Sequence, residues 1–454
     1  MFLNERYLLE SGEAMRIYEK IKDLPIVDPH NHVDIKEIVE NRGWKDIWEV
    51  EGATDHYVWE LMRKCGIPEK YITGEASNKE KWMALAEVFP KFAGNPVYEW
   101  VHLDLKRRFH IDEHISRATA EKIWKKTSEL LKSEDMKPQA LLKEMNVEIM
   151  CTTDDPLSDL RYHKQASDIL PDIKILPTWR PDTIIKIEHP GWREYIEKLG
   201  EVMGEDVEKF EGLLRAVAKS HEVFQRYGCV ASDHGIERPI THRVGKRRAA
   251  NIYQKALLGK ELKHEEINDY KAFMFLEFGR LNLESNWVMQ LHMGAVRDYR
   301  RSLFESLGPD SGGDISTNTI EFVKGLEYFL NEFDGRLKIV LYVLDPTHLP
   351  TVTTIARAFP NVKIGAAWWF NDSPYGMEVH LKYVASVNLL YDFAGMVTDS
   401  RKLLSFGSRT EMFRRVLANV LGQMVKRGQI PLKTAEELAT WMVYEGPRKL
   451  FFER

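Results

Sequence analysis

The chain has 454 residues, 44% of them apolar and 29% charged, with 28 Gly and 19 Pro; this composition excludes collagenous, low-complexity and largely disordered architectures. Lys and Arg total 64 against 69 Asp and Glu, a net charge of −5, so no global charge draws the protein to nucleic acid or to an anionic membrane. Cys65, Cys151 and Cys229 are far apart and form no CxxC, which argues against a disulfide scaffold or a zinc–thiolate knot and fits a reducing cytoplasm. The first twenty residues carry no signal-peptide core, and no stretch approaches ~18 uninterrupted apolar residues.

Eight short apolar runs recur along the chain, each closing on polar or small residues. In order they are 24–32 (LPIVDPHNH), 147–156 (VEIMCTTDDP), 173–182 (IKILPTWRPD), 229–235 (CVASDHG), 288–295 (VMQLHMGA), 338–346 (KIVLYVLDP), 363–369 (KIGAAWW) and 395–401 (GMVTDSR). Continuous apolar runs, rather than alternation, mark strands covered on both faces, as in parallel sheets. Helical patterns lie between them, at 157–170, 351–359 and 376–392, and another follows at 410–428. Eight strands alternating with helices predict an α/β fold of the (β/α)8 TIM-barrel type. No Gly-rich fingerprint follows the first run, so a nucleotide-binding sheet is not favoured. Residues 33–146 are far too long for one barrel helix and are helical in pattern. The expected organisation is therefore a barrel formed by 1–32 and 147–454, with a helical insertion at 33–146. The loop GPDSGGDIS (308–316) lacks the Gly-Lys-Ser/Thr ending of a phosphate loop and is expected to shape the barrel mouth.

Active sites of this barrel lie at the C-terminal ends of the strands. The residues there include His30 and His32, Arg180, His234, His292, Trp368, Asp399 and Arg401. His30 and His32 stand at i and i+2, on one face of an extended chain, so both imidazoles can reach one ion. Asp399 closes the eighth run, the barrel neighbour of the first, and supplies a third ligand. Two His and one carboxylate with an open position suit a catalytic zinc or a similar divalent ion. Arg180 and Arg401 offer planar forks for a carboxylate or phosphate. Trp368 and Trp369 form an aromatic wall. His102, His110, His114, His163 and His264 fall on helical or linker stretches and read as surface residues, Cys151 reads as buried structure, and Lys246-Arg247-Arg248 reads as a solvated helix face.

The stretches DPHNHVD (28–34), TDHYVWELMRKCG (54–66), LPTWRPD (176–182), ASDHGIE (231–237) and NWVMQLHMGAVRD (286–298) resemble the uronate (glucuronate) isomerase family of the amidohydrolase superfamily. The likeness continues through AAWWFNDSPYGME (366–378) and GMVTDSRKLLSFGSRTEMFRR (395–415) and spans nearly the whole chain. It implies an aldose–ketose isomerase that interconverts D-glucuronate with D-fructuronate and D-galacturonate with D-tagaturonate. The implied cofactor is one divalent ion, zinc first, with manganese or another ion as alternatives. The implied partner is a small hexuronate, with no nucleic acid and no membrane, and the chain is expected to self-associate. Hydrolytic members of the superfamily place a Lys on strand four and a His at the end of strand six. Those regions here offer His234 and Asp345, which favours a mononuclear site. The resemblance places His30, His32 and Asp399 on the metal, and Arg180, Arg401, Trp368 and His234 around the substrate. Asp399, Tyr57, Arg401 and His292 are the catalytic candidates, with Asp399 also eligible as base and Tyr57 as proton shuttle or donor. No role is assigned within 405–410. A hydrolase or deaminase, a decarboxylase and a non-catalytic sugar binder are the competing readings of the same barrel.

Overall fold

Seven of the eight apolar runs form strands in the computed structural model of the chain, which describes residues 2–453. They are β1 (Ile26–Asp28), β2 (Val147–Cys151), β3 (Lys174–Leu176), β4 (Ala231–Ile236) and β5 (Val288–Met293), followed by a short antiparallel ribbon of β6 (Ala295–Val296) and β7 (Ile315–Ser316), then β8 (Ile339–Val343) and β9 (Val362–Ile364). β1, β2 and β3 pair in parallel, as do β4, β5, β8 and β9. The residues of β5 and β8 are buried throughout, as expected of strands covered on both faces.

Two joints close these ladders into a ring. Trp179, just past β3, bridges Asp154 on one side and Ser232 on the other. At the opposite joint, Phe393 bridges Ile364 at the end of β9. The eighth run is not a regular strand, contrary to expectation. Gly395 and Asp399 take φ values of +108° and +49°, which interrupt an extended chain. Much of its ladder is replaced by a side chain: the Asp28 carboxylate accepts from the Thr398 amide (2.9 Å) and hydroxyl (2.7 Å). Backbone bonds from Asp399 to the His30 carbonyl (3.2 Å) and from His32 to the Ser400 carbonyl (2.8 Å) complete the closure. The eighth place in the α/β barrel is thus filled by bent chain that carries a catalytic candidate.

The helical readings stand at Arg161–Ile169, Leu349–Ala358, Pro374–Val387 and Ser405–Lys426. Between β1 and β2 lie seven α-helices, the third of which, His56–Lys64, carries Tyr57. Two histidines depart from the surface reading. His102 is buried, donating from Nδ1 to the Tyr98 carbonyl (2.8 Å) and accepting the Ile115 amide at Nε2 (3.0 Å). His163 is buried with Nε2 2.8 Å from the Thr152 hydroxyl. Both satisfy buried polar groups where a helix meets its neighbour, a role that hydropathy patterning does not reveal. Among the described residues no helix is long and apolar enough to cross a membrane.

Candidate active site

The turn after β1 sets the first two ligand candidates. The Asn31 amide groups are drawn away to the Cys151 carbonyl, backbone at 3.0 Å and side chain at 2.9 Å, and the Thr153 hydroxyl holds the Asn31 carbonyl at 2.9 Å. With Asn31 pinned outward, His30 and His32 are left together on the opposite side. Both Nε2 atoms lie 3.2 Å from the same oxygen, Oδ1 of Asp399. The other Asp399 oxygen accepts the Trp368 indole N–H at 3.0 Å. Burial alone would raise the Asp399 carboxyl; the hydrogen bonds from His30 and His32 overturn this and hold it well below the usual carboxylate range. Burial lowers His32 to about 4, which leaves it as the neutral imidazole that a metal requires.

A second carboxylate faces the same imidazole. His30 Nδ1 lies 3.7 Å from Asp233 Oδ2, while Asp233 Oδ1 is 2.5 Å from His292 Nδ1. Arg180 closes this network, 3.0 Å from Asp233 and 2.9 Å from Asp182. Burial opposes a charge on His30, but Asp233 and Asp399 prevail and raise its pKa. The ring therefore sits between two anions that call for a cation. His30, His32 and Asp399 present one ligand atom each within 4.8 Å of one another, and His30, Asp233 and His292 do the same. The donor set and the surrounding negative charge fit a divalent ion, and the cluster forms a candidate His/Asp metal site.

The remaining sequence candidates separate. His292 is brought in: its ring lies 4.3 Å from that of His30, 4.7 Å from Trp368 and stacks on Tyr342 at 4.2 Å, and its buried Nε2 has no protein partner. Trp368 joins through Asp399. Arg401 stands at the rim, 3.4 Å from Asp310 in the loop 308–316. Tyr57, on the helix His56–Lys64, reaches the site with its ring beside His56 and under the Arg409 guanidinium at 5.0 Å, and has a buried hydroxyl with no protein partner. Burial and the nearby Asp399 push that hydroxyl well above the ordinary tyrosine value, so it carries its proton. His234 is not brought in. On β4 successive side chains alternate, and His234 turns to the outer face, bonded to Ser232 (2.7 Å) and stacked on Phe278.

Sequence reasoning passed over two residues. Asp233 was eclipsed by its neighbour His234, though a signal existed: Gly235, on the same face as Asp233, leaves the space that Arg180 fills, where a Cβ would lie 2.2 Å from Arg180 Nη2. Arg409, inside the segment given no role, is buried with its guanidinium 3.1 Å from Asp372, 2.8 Å from the Thr398 carbonyl and 4.0 Å over the Trp100 ring.

The chain is similar to known proteins over its whole length. Residues 1–451 match the sequence model of the glucuronate isomerase family. A curated uronate isomerase from Thermotoga petrophila is 65% identical, with 100% of both chains covered. The crystal structure of uronate isomerase from Thermotoga maritima superposes with a TM-score of 0.98 at 64% identity, covering 100% of each chain. The glucuronate isomerase of Caulobacter crescentus gives 0.94 at 28% identity, covering 99% of this chain and 96% of that one. This chain therefore belongs to the glucuronate isomerase family, the uronate isomerases that interconvert D-glucuronate with D-fructuronate and D-galacturonate with D-tagaturonate in hexuronate catabolism.

Proposed function

We propose that the cluster at the barrel mouth performs this isomerisation, with His30, His32 and Asp399 holding one divalent ion, zinc first and manganese or another ion as alternatives. The convergence of both His Nε2 atoms on one Asp399 oxygen carries this reading. The open-chain substrate has an aldehyde at C1, a hydroxyl at C2 and a carboxylate at its far end. Turning aldose into ketose moves a proton from C2 to C1 through an enediolate, which needs a base, a proton donor and stabilisation of negative oxygen. When bound, the ion would polarise the substrate oxygens and neutralise charge that develops on them.

Within the chain, Asp399 is the proposed base at C2, since its carboxylate stays ionised in a buried setting. Trp368 holds Oδ2 of Asp399, orients that carboxylate and walls the site. Tyr57, protonated and without a protein partner, donates to the enediolate oxygen or relays the proton toward C1. His292 offers its unpaired Nε2 to a substrate hydroxyl, with Nδ1 fixed by Asp233. Arg401, at the rim, grips the substrate carboxylate or the enediolate. Arg180 is engaged by Asp182 and Asp233, and it keeps the Asp233 carboxylate ionised against His292. In this scheme the barrel, residues 1–32 and 147–454, supplies the ligands, and the insertion, 33–146, supplies Tyr57. The three free cysteines, two of them buried, suit a reducing cytoplasm.

The test is turnover of D-glucuronate and D-galacturonate to their keto products by the parent and by Asp399→Asn. Asn keeps the size but loses the charge, and the expected fall in kcat is at least roughly 1,000-fold. Near-parental activity in the variant would remove Asp399 from both proposed roles.

A further inference from the structure

We propose that Tyr342 and Gln290 are positioning residues for the isomerisation: together they form a hydrogen-bonded floor under the site that fixes the plane of the His292 ring and the peptide from which His30 projects. The inference rests on the reading of His292 as a partner of a substrate hydroxyl and extends it to the layer beneath.

Strand register brings the parts together. β5 and β8 run parallel with His292 opposite Tyr342. Gln290 stands two residues before His292, on the same face of β5 and one step deeper in the barrel. The Tyr342 ring lies flat against the His292 ring, with centroids 4.2 Å apart and planes within 10°. Gly365, just past β9, leaves the space that the Tyr342 ring fills: a Cβ there would lie 2.1 Å from Cε1. The Tyr342 hydroxyl lies 2.9 Å from Gln290 Oε1, and Gln290 Nε2 lies 3.1 Å from the Pro29 carbonyl, in the peptide that leads into His30.

The chemistry sets every direction in this chain. A carbonyl only accepts, so Gln290 turns its NH2 to Pro29 and its oxygen to Tyr342. That oxygen needs a donor, and Tyr342 supplies one: burial, with Asp233 and Asp28 adding to it, pushes the hydroxyl well above the ordinary tyrosine value. Both side chains are buried in a barrel interior of the kind usually filled by branched apolar residues. Polar groups there cost stability unless each is satisfied, and a satisfied chain specifies one arrangement. Its two ends are His292 and His30, whose rings lie 4.3 Å apart in the site. The bond from His292 Nδ1 to Asp233 (2.5 Å) leaves the ring free to tilt about it. The stack on Tyr342 removes that freedom, so the unpaired Nε2 has one direction.

The experiment measures kcat, KM for D-glucuronate and Tm at equal metal content. The proteins are the parent, Tyr342→Phe, Gln290→Leu, the Tyr342→Phe/Gln290→Leu double variant and His292→Asn. Phe keeps the stack and Leu keeps most of the volume, so each single variant breaks the chain and strands a buried polar atom. Each should lower Tm and cut kcat at least roughly tenfold with KM within about threefold, the mark of displaced groups rather than lost contacts. In the double variant the stranded hydroxyl is gone, so Tm should recover relative to Gln290→Leu while kcat stays low. A kcat that recovers together with Tm, or single variants within about threefold of the parent, would overturn the floor. A fall of at least roughly tenfold in kcat/KM for His292→Asn would then leave the His292 reading intact. If His292→Asn has parental kcat/KM, the His292 reading is wrong and the floor falls with it.

Discussion

Asp233 and His234 are chain neighbours that face opposite ways, and the site depends on which one points inward. Asp233 meets His292, His30 and Arg180, three groups whose charge or orientation needs a carboxylate. Replacing it by Asn leaves the Arg180 guanidinium short of a counter-ion and frees the His292 tautomer, so kcat/KM should fall by at least roughly 100-fold. His234→Gln can keep the bond to Ser232, and its effect should appear in thermal stability while kcat/KM stays within about threefold. Steady-state kinetics on the two variants decide it: the reverse order would place the wrong residue in the site. The same pair shows what was legible. His30, His32 and Asp399 could be read because strand-end position and residue type together name them. Parity on β4 could not, because an apolar run buried on both faces has no alternation to reveal its inner side. Only the glycine at 235 marks that side, and the side chain that fills its space, Arg180, lies far away in sequence.

At the scale of elements, the helix His56–Lys64, between β1 and β2, brings Tyr57 to the candidate site. Asp55 caps it, accepting the Tyr57 amide at 2.9 Å, and Lys402 reaches over from the segment after Asp399 to Asp55 (3.3 Å) and Glu51 (2.5 Å). Arg409 covers the Tyr57 ring from the same side. Two buried cations beyond the eighth place thus seat the helix that carries Tyr57. Neither was legible, since a buried Lys or Arg differs from a solvated one only by distant acids that the fold brings to it. Asp104, in this cluster, has both carboxylate oxygens buried without partners, and burial together with Glu51 pushes its carboxyl up to about 8. A carboxyl raised above its unfolded value near 3.8 keeps a proton in the native state that the unfolded chain has already released. Its contribution is therefore favourable at low pH and is lost as pH rises from about 4 to about 8, with a slope of at most about 1.4 kcal/mol per pH unit. Asp104→Asn removes that loss. Differential scanning calorimetry should show the variant gaining on the parent between pH 5 and pH 8, and a constant difference in Tm across that range would show that Asp104 does not titrate there.

For the whole molecule, the weak point of the ring is its eighth place. Eight buried apolar runs made the barrel legible, and their uneven spacing marked the long stretch between the first two, where seven α-helices lie. The break at Gly395 and Asp399 was not, because positive φ at an Asp leaves no mark in hydropathy. The closure there depends on two backbone bonds, the Asp28–Thr398 bonds and the meeting of His30 and His32 with Asp399. Without a cation, that meeting depends on protons placed between imidazoles and a carboxylate. A divalent ion held by the same three side chains would fasten the first strand to the eighth segment and stabilise the native state by mass action, about 2.7 kcal/mol at 100 times its dissociation constant. Chelation should therefore lower Tm by roughly a few degrees, and added Zn²⁺ or Mn²⁺ should restore it. The restoring ion also ranks the metals without any assay of turnover. In His32→Asn the chelator should have much less effect, since one of the three ligands is gone. An equal Tm with and without chelator in the parent, with metal content confirmed by elemental analysis, would mean that no ion ties these two segments together.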